Sequence, residues 1–271
     1  MDFLPVEVLL ESFGNLTVRD LHALCSVSVQ FHSIATELLY RHISVSGKET
    51  LVLSSSLALR PSNGRLVHSL LFWFSESTND DEWGAIDTVL ARTANLEELE
   101  LYPPDDPIYL GRCPPLHSLP RLRILIFPGL PMTVRVTNSI VLLRHLHTLN
   151  IGWRVRDYAQ SEPTSSEHLA EITNRLISFE GPMALVRHLN EGNRLSLLIV
   201  KYSEAQSQEW RHLQHVAKGT LKSLLVHRLN PQILHHFLSI VSEFRSLRYL
   251  GRVPLQLGKP ASRLYAAAYM L

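Results

Sequence analysis

The stretch Leu96-Glu97-Glu98-Leu99-Glu100-Leu101 decides how this chain is read. It fits L-x-x-L-x-L, the core of a leucine-rich repeat. Four more windows share the frame: residues 122–127 around Leu125, 146–151 around Leu149, 195–200 around Leu198 and 221–226 around Leu224. Looser versions centre on Leu70, Phe179 and Leu250. In order, these eight anchors are separated by 29, 26, 24, 30, 19, 26 and 26 residues. The mean is about 26, inside the leucine-rich-repeat range.

The motif needs support, because the chain holds 49 Leu in 271 residues. Composition alone yields about four strict matches. Two further features carry the reading. Most cores are followed within a few residues by Pro or Gly, at Pro103, Pro128, Gly152, Gly181-Pro182, Pro231 and Pro254, which sets a turn at one phase of each unit. Helical stripes fill the intervals: Ile86, Val89, Leu90 and Thr93; then Leu169, Ile172 and Leu176 behind a candidate cap at Ser166; then Trp210, Leu213 and Ala217. The cleanest is Ile233, Phe237, Ile240, Val241 and Phe244. A strand, a turn and a helix per unit make a solenoid, which also accounts for the Leu content. The Asn or Cys expected after each core is mostly missing, with Pro104 in its place in the best repeat. An irregular solenoid with uneven curvature is therefore expected.

Upstream, residues 1–45 read as three helices. Pro5 suits a first helical turn, and Val6, Leu9, Leu10, Phe13 and Leu16 form a broad apolar face. Gly14-Asn15 reads as a left-handed C-cap. Thr17 with Asp20 opens a second helix striped by Leu21, Leu24 and Val27. A third covers about residues 30–41, with Phe31, Ile34, Ala35, Leu38 and Leu39 inward. The expected class is therefore α+β or α/β: a three-helix unit at 1–45, a linker at 46–65 and an irregular leucine-rich-repeat region with a parallel sheet at 66–271. The Ser- and Leu-rich linker holds a helical turn or more. The acidic residues Glu76, Asp80, Asp81 and Glu82 read as a solvated loop rather than a docking patch.

Composition excludes several function classes. Hydrophobic residues make up 45% and charged residues 19%, with a formal net charge of +1. That is globular composition, not disorder, and it lacks the basic excess of a nucleic-acid protein. Cys25 and Cys113 form no disulfide framework and read as reduced thiols of a cytoplasmic or nuclear protein. No signal peptide or membrane span is visible. Asn15-Leu16-Thr17 matches a glycosylation sequon but reads better as a helix boundary. The apolar tail at 266–271 lacks a polar capping unit, so a truncated gene model or a missing cap is expected.

No catalytic chemistry assembles. The nearest His pairs, His145/His147, His212/His215 and His235-His236, lack Cys or carboxylates at ligand spacing. There is no H-E-x-x-H, nucleophile elbow, phosphate loop or dinucleotide motif. No cofactor or metal is expected. A hydrolase assembled from scattered His and Asp is the most distant alternative, since triad members are remote in sequence. Leu4, Leu9, Leu16, Leu21, Phe31 and Tyr40 exceed what a 45-residue unit hides by itself. They leave an apolar patch for a partner or for the repeats to cover.

Phe3-Leu4-Pro5-Val6-Glu7-Val8-Leu9, followed by Phe13, Leu16, Arg19-Asp20-Leu21, Leu24, Val27-Ser28, Phe31 and Leu39-Tyr40, resembles the F-box motif over residues 3–43. The ending Leu39-Tyr40-Arg41-His42-Ile43 resembles fungal F-box proteins in particular. The remainder is similar to the degenerate leucine-rich region that often follows an F-box. The resemblance implies a non-catalytic substrate receptor of an SCF-type cullin-RING ubiquitin ligase, binding the Skp adaptor, and through it cullin, while the repeats hold a protein substrate. By motif position, Leu4, Pro5, Val8, Leu9, Phe13, Leu16, Leu21, Leu24, Val27 and Phe31 are adaptor-facing or shape that interface, with Leu4, Pro5 and Leu9 foremost. Two departures stand out: Ser12 where the family usually has an apolar residue, and Val29 where a basic one is common. Both lower the expected adaptor affinity and motivate the rival reading, a leucine-rich interaction scaffold acting without ubiquitin ligation.

Overall fold

The repeat anchors become the strands. In the computed structural model, described over residues 4–74, 79–102, 114–128, 134–151, 166–200, 207–226 and 234–251, short parallel strands alternate with helices. The chain divides into two compact units.

The first unit comprises Met1–Pro104 and Pro114–Leu122. It opens with helices α1 (Val6–Phe13), α2 (Val18–Leu24) and α3 (Val29–Arg41). Strand β1 (His42–Ser46), helix α4 (Glu49–Leu59) and a 3₁₀ helix (Pro61–Leu66) follow. Then come β2 (Ser69–Trp73), α5 (Asp80–Arg92), β3 (Glu98–Tyr102) and a short 3₁₀ turn (Leu116–Ser118). The strands pair in parallel with Ile43, Leu70 and Leu99 in one row. Leu70 and Leu99 are completely buried.

The second unit comprises Asp105–Cys113 and Arg123–Leu271. It holds β4 (Ile124–Phe127), α6 (Val134–Val141), β5 (Thr148–Ile151), α7 (Ser166–Arg175) and β6 (Ser178–Gly181). A 3₁₀ helix (Met183–His188), β7 (Leu197–Val200), α8 (Ser207–Ala217), β8 (Ser223–Val226), α9 (Leu234–Val241) and β9 (Tyr249–Gly251) complete it. Leu125, Leu149, Phe179, Leu198, Leu224 and Leu250 lie opposite one another through the whole stack.

One hydrogen-bond device repeats. Two successive amides entering a strand donate to a single carbonyl of the preceding unit: Glu97 and Glu98 to His68 in the first unit, His147 and Thr148 to Arg123 in the second. The same pair recurs from Ile177/Ser178 to His147, Ser196/Leu197 to Ile177, Lys222/Ser223 to Ser196 and Arg248/Tyr249 to Lys222. The repeats are thus equivalent in backbone as well as in Leu spacing. The helical stripes follow suit: Ile86, Val89, Leu90, Trp210, Leu213, Ala217, Phe237 and Ile240 are buried. Ile233 lies outside the described residues, as do Cys113, Pro103 and Pro104.

Three local expectations change. Residues 46–65, read as a linker, carry the end of β1, α4 and a 3₁₀ helix. Thr50, Leu53 and Leu57 of α4 are buried, so its Ser-rich sequence still supplies one inward row. Gly64 sits so close to the Arg92 carbonyl that a Cβ there would collide with it, which is why the turn takes glycine. Gly14, expected as a left-handed cap, is right-handed at φ −60° and donates to Leu10. Asp80, Asp81 and Glu82 are not a loop. They form the first turn of α5, capped by Asn79, whose side chain accepts from the Glu82 amide at 3.0 Å. Carboxylates there complement the positive end of the helix dipole. Glu76 lies outside the described residues.

Polar bonds at helix ends tie neighbouring repeats together. Arg92, in the last turn of α5, donates to the Leu57 carbonyl near the end of α4 at 3.2 Å. Arg175, in the last turn of α7, donates to the Val141 carbonyl ending α6 at 2.9 Å. A cation at the negative ends of two helices satisfies carbonyls that the helices leave open. Buried Asn193 plays a similar part, donating to the Asn190 and Val216 carbonyls and accepting from the Leu195 amide. The irregularity has a length cause too. The 19-residue interval from Phe179 to Leu198 is too short for a strand plus a full α-helix, and it holds a 3₁₀ helix instead. Replacing Arg175 by Met should cost about 1.5–3 kcal/mol, the worth of a charged hydrogen bond to buried carbonyls, in a urea titration.

Candidate functional site

Helices α1–α3 hold the largest concentration of exposed apolar side chains. Of fifteen exposed large hydrophobics among the described residues, seven lie between positions 4 and 29: Leu4, Val6, Val8, Leu16, Val18, Val27 and Val29. Exposed apolar side chains gathered in one short segment are a feature that protein-binding surfaces share.

The scaffold beneath it is built locally. Pro5 precedes α1 in an extended conformation, and its carbonyl accepts from the Val8 and Leu9 amides at 3.1 and 3.2 Å. Thr17 and Asp20 form a reciprocal capping box at the start of α2. Ser28 caps α3, accepting from the Phe31 amide at 3.1 Å. Leu9, Leu21, Ile34 and Ala35 are buried among the three helices, and Phe13 meets Phe31 edge to face at 5.2 Å. Cys25 ends α2 as a half-buried free thiol, its carbonyl 3.0 Å from the His32 ring nitrogen Nδ1.

The ten residues singled out from sequence therefore separate into two sets. Leu4, Pro5, Val8, Leu16 and Val27 are exposed and available for contact. Leu9 and Leu21 are buried and hold the helices together, while Phe13, Leu24 and Phe31 are half-buried between the two roles. The expected apolar patch changes accordingly. Leu9 and Leu21 leave it for the core. Tyr40 is half-buried, its hydroxyl 3.1 Å from the Ser56 hydroxyl of α4. Val6, Val18 and Val29 join it, although nothing in their sequence context distinguishes them from core residues. Helix phase decides this, since Val8 and Leu9 point about 100° apart. Ser12 lies one turn beyond Val8 on the exposed side, its hydroxyl donating to the Val8 carbonyl at 2.7 Å. Val29 is 90% exposed at the start of α3.

The histidine pairs do not converge on a site. His147 is half-buried with Nδ1 3.2 Å from the Thr148 hydroxyl, and burial together with Arg123 pushes its pKa down. His212 approaches the Leu189 carbonyl at 2.9 Å, and His215 faces Glu191 at 3.7 Å in solvent. The side chains of His235 and His236 lie outside the described residues. Among the described residues no three His, Cys, Asp or Glu side chains are placed to hold a metal ion, and no helix is long and apolar enough to cross a membrane.

The outward faces of β1–β3 form a second surface. There Trp73 stacks on Tyr102 with ring centroids 4.7 Å apart, and the Tyr102 hydroxyl donates to Glu100 at 2.7 Å. Burial, with Glu98 close by, raises the Glu100 pKa. Because the folded value exceeds the unfolded one, the native state holds more protons in the window between them. Stability should then fall as pH rises from the ordinary carboxylate range through the raised value, and level off above it. Glu100→Gln should remove that decline in urea titrations run from pH 4 to 7.

Residues 1–46 match the family described as F-box-like, a span that covers α1–α3 and β1. No curated protein matches the chain.

Proposed function

From an F-box-like domain at residues 1–46, followed by parallel strand–helix units of leucine-rich-repeat type, we propose that this protein is a substrate-recognition subunit of an SCF-type cullin-RING ubiquitin ligase. The observation that carries the reading is the exposed apolar patch on α1–α3, within the F-box-like span. Leu4, Pro5, Val8, Leu16 and Val27 contact the Skp adaptor. Leu9 and Leu21, with Phe13, Leu24 and Phe31, set the helix angles that present them. The repeats hold a protein substrate, and cullin is reached through the adaptor.

The mechanism is proximity rather than bond chemistry. The subunit binds two proteins at once, so transfer of ubiquitin to the substrate becomes effectively intramolecular. No side chain of this chain needs to touch the reacting atoms. The setting is the cytoplasm or nucleus. Ser12 and Val29 favour a second reading, an interaction scaffold without ligation, because Ser12 removes apolar area beside Val8.

The test is capture of purified Skp adaptor by the full chain, wild type against the double variant Leu4→Asp/Pro5→Ala. The wild type binds and the variant loses most binding. A wild type that fails to bind adaptor overturns the proposal and leaves the scaffold reading.

A further inference from the structure

We infer that the edge of the second unit at which its strands begin, where Lys222 and Arg248 stand in line with the exposed Ile177, receives an extended acidic segment of a substrate protein that carries apolar residues of its own. The inference rests on the proposed ligase role only in assigning that segment to a substrate.

The edge is assembled by the repeated amide pair. A residue just ahead of one strand offers its carbonyl to the amides entering the next, so His147, Ile177, Ser196, Lys222 and Arg248 follow one another at the spacing of parallel strands, about 4.8 Å. Arg144, Arg194 and Arg245 lie two or three residues earlier in the same strand-entry turns. With Lys222 and Arg248 they make five exposed cations. The turns at 142–148, 174–178, 193–197, 219–223 and 244–249 contain no Asp or Glu. Carboxylates close to them in sequence are engaged elsewhere: Glu191 faces His215 at 3.7 Å, and Glu243 faces Lys218 at 3.6 Å.

Internal bonding does not account for these cations. Arg92 and Arg175 bond helix-end carbonyls, whereas none of the five makes a side-chain hydrogen bond or an ion pair with a described residue. Nor is unpaired charge a property of the repeat position itself. In the first unit that position holds His68, which faces Glu97 at 3.6 Å. Apolar side chains share the edge. Of the four exposed large hydrophobics described in the second unit, Leu142, Ile177 and Tyr249 lie within these turns, at 62%, 43% and 44% exposure.

Charge and apolar contact together select the occupant. A row of one sign without counter-charges attracts an anionic chain. The aliphatic Leu142 and Ile177 offer no face on which a nucleic-acid base could stack. An acidic polypeptide with apolar side chains is complementary on both counts. From Arg144 ahead of β5 to Arg248 ahead of β9 the edge runs four strand steps, roughly 19 Å. That is the reach of about six extended residues.

The experiment titrates the full chain with a fluorescently labelled peptide of six Glu and two Leu at about 0.15 M salt, where exposed charges act over roughly 8 Å. Saturable binding is expected, weakened about tenfold by Lys222→Gln/Arg248→Gln. Arg135→Gln/Arg211→Gln removes the same charge from exposed positions on α6 and α8 and leaves the affinity unchanged. Ile177→Ser weakens binding about threefold, which attraction between charges alone does not produce. Absence of saturable binding, equal loss in the two double variants, or unchanged affinity in Ile177→Ser overturns the proposal. So does an octathymidine oligonucleotide that binds as tightly as the peptide. Adaptor capture is read on the same samples, and both double variants retain it. Failed peptide binding then removes the acidic-segment site alone. Failed adaptor capture by the wild type removes the ligase reading alone.

Discussion

Val8→Asp combined with Leu16→Asp abolishes capture of the Skp adaptor while leaving the unfolding midpoint of the free chain unchanged. Both side chains are exposed, at 44% and 38%, so the free protein loses little when they become polar. In the proposed complex they are covered, and an uncompensated carboxylate buried in an apolar interface costs about 3–5 kcal/mol. That corresponds to a loss of roughly 100-fold or more in affinity. Leu9→Ala is the opposing control. Leu9 is 4% exposed, and truncating it opens a cavity worth about 2–5 kcal/mol of stability. Its effect on capture should therefore track the fraction of folded helical unit and recover at lower temperature, whereas that of the double Asp variant should not. Binding by the double variant at wild-type strength would show that the adaptor, if it binds, uses another surface.

Trp210→Ala is the largest stability loss expected of a single substitution. Trp210 is 1% exposed in α8 and meets Phe237 of α9 edge to face at 4.8 Å, so it joins two successive repeats. Truncation should cost about 3–5 kcal/mol, read as a lower urea midpoint. Trp210→Phe separates ring packing from polarity. The indole Nε1 is buried without a hydrogen-bond partner, a penalty of about 1–3 kcal/mol that Phe does not carry. The Phe variant should stay within about 1 kcal/mol of wild type, because the smaller ring and the relieved donor act in opposite directions.

The strand frame was legible because one residue type marks one phase. The eight anchors from Leu70 to Leu250 fall in register within their own units. The ninth, Ile43, was hidden. His42-Ile43-Ser44-Val45-Ser46 has the alternation of a strand but no Leu, and it follows the third helix without punctuation. The helix-end bonds between repeats were not legible at all, since Arg175 and its carbonyl partner Val141 are 34 residues apart. For the docking patch, sequence located the segment but not its orientation. Sorting Val8 from Leu9 needs the third helix in place, because only the packing of α1 on α3 says which side is covered. Glu82 was read as part of an acidic loop, whereas it is a buried residue of the first turn of α5.

The direct passage from α3 at Arg41 into β1 at His42 has a consequence for timing and reach. Under the proposed ligase role, with no slack between α3 and β1, a cargo held on β1–β3 is presented at a fixed bearing from the docking helices and does not sweep through a volume as it would on a tether. Which lysines of the cargo are reached then depends on where they sit on its surface, more than on how often they collide. Inserting a Gly/Ser segment between Arg41 and His42 would turn that aimed delivery into a search, scattering modification over many lysines instead of a few.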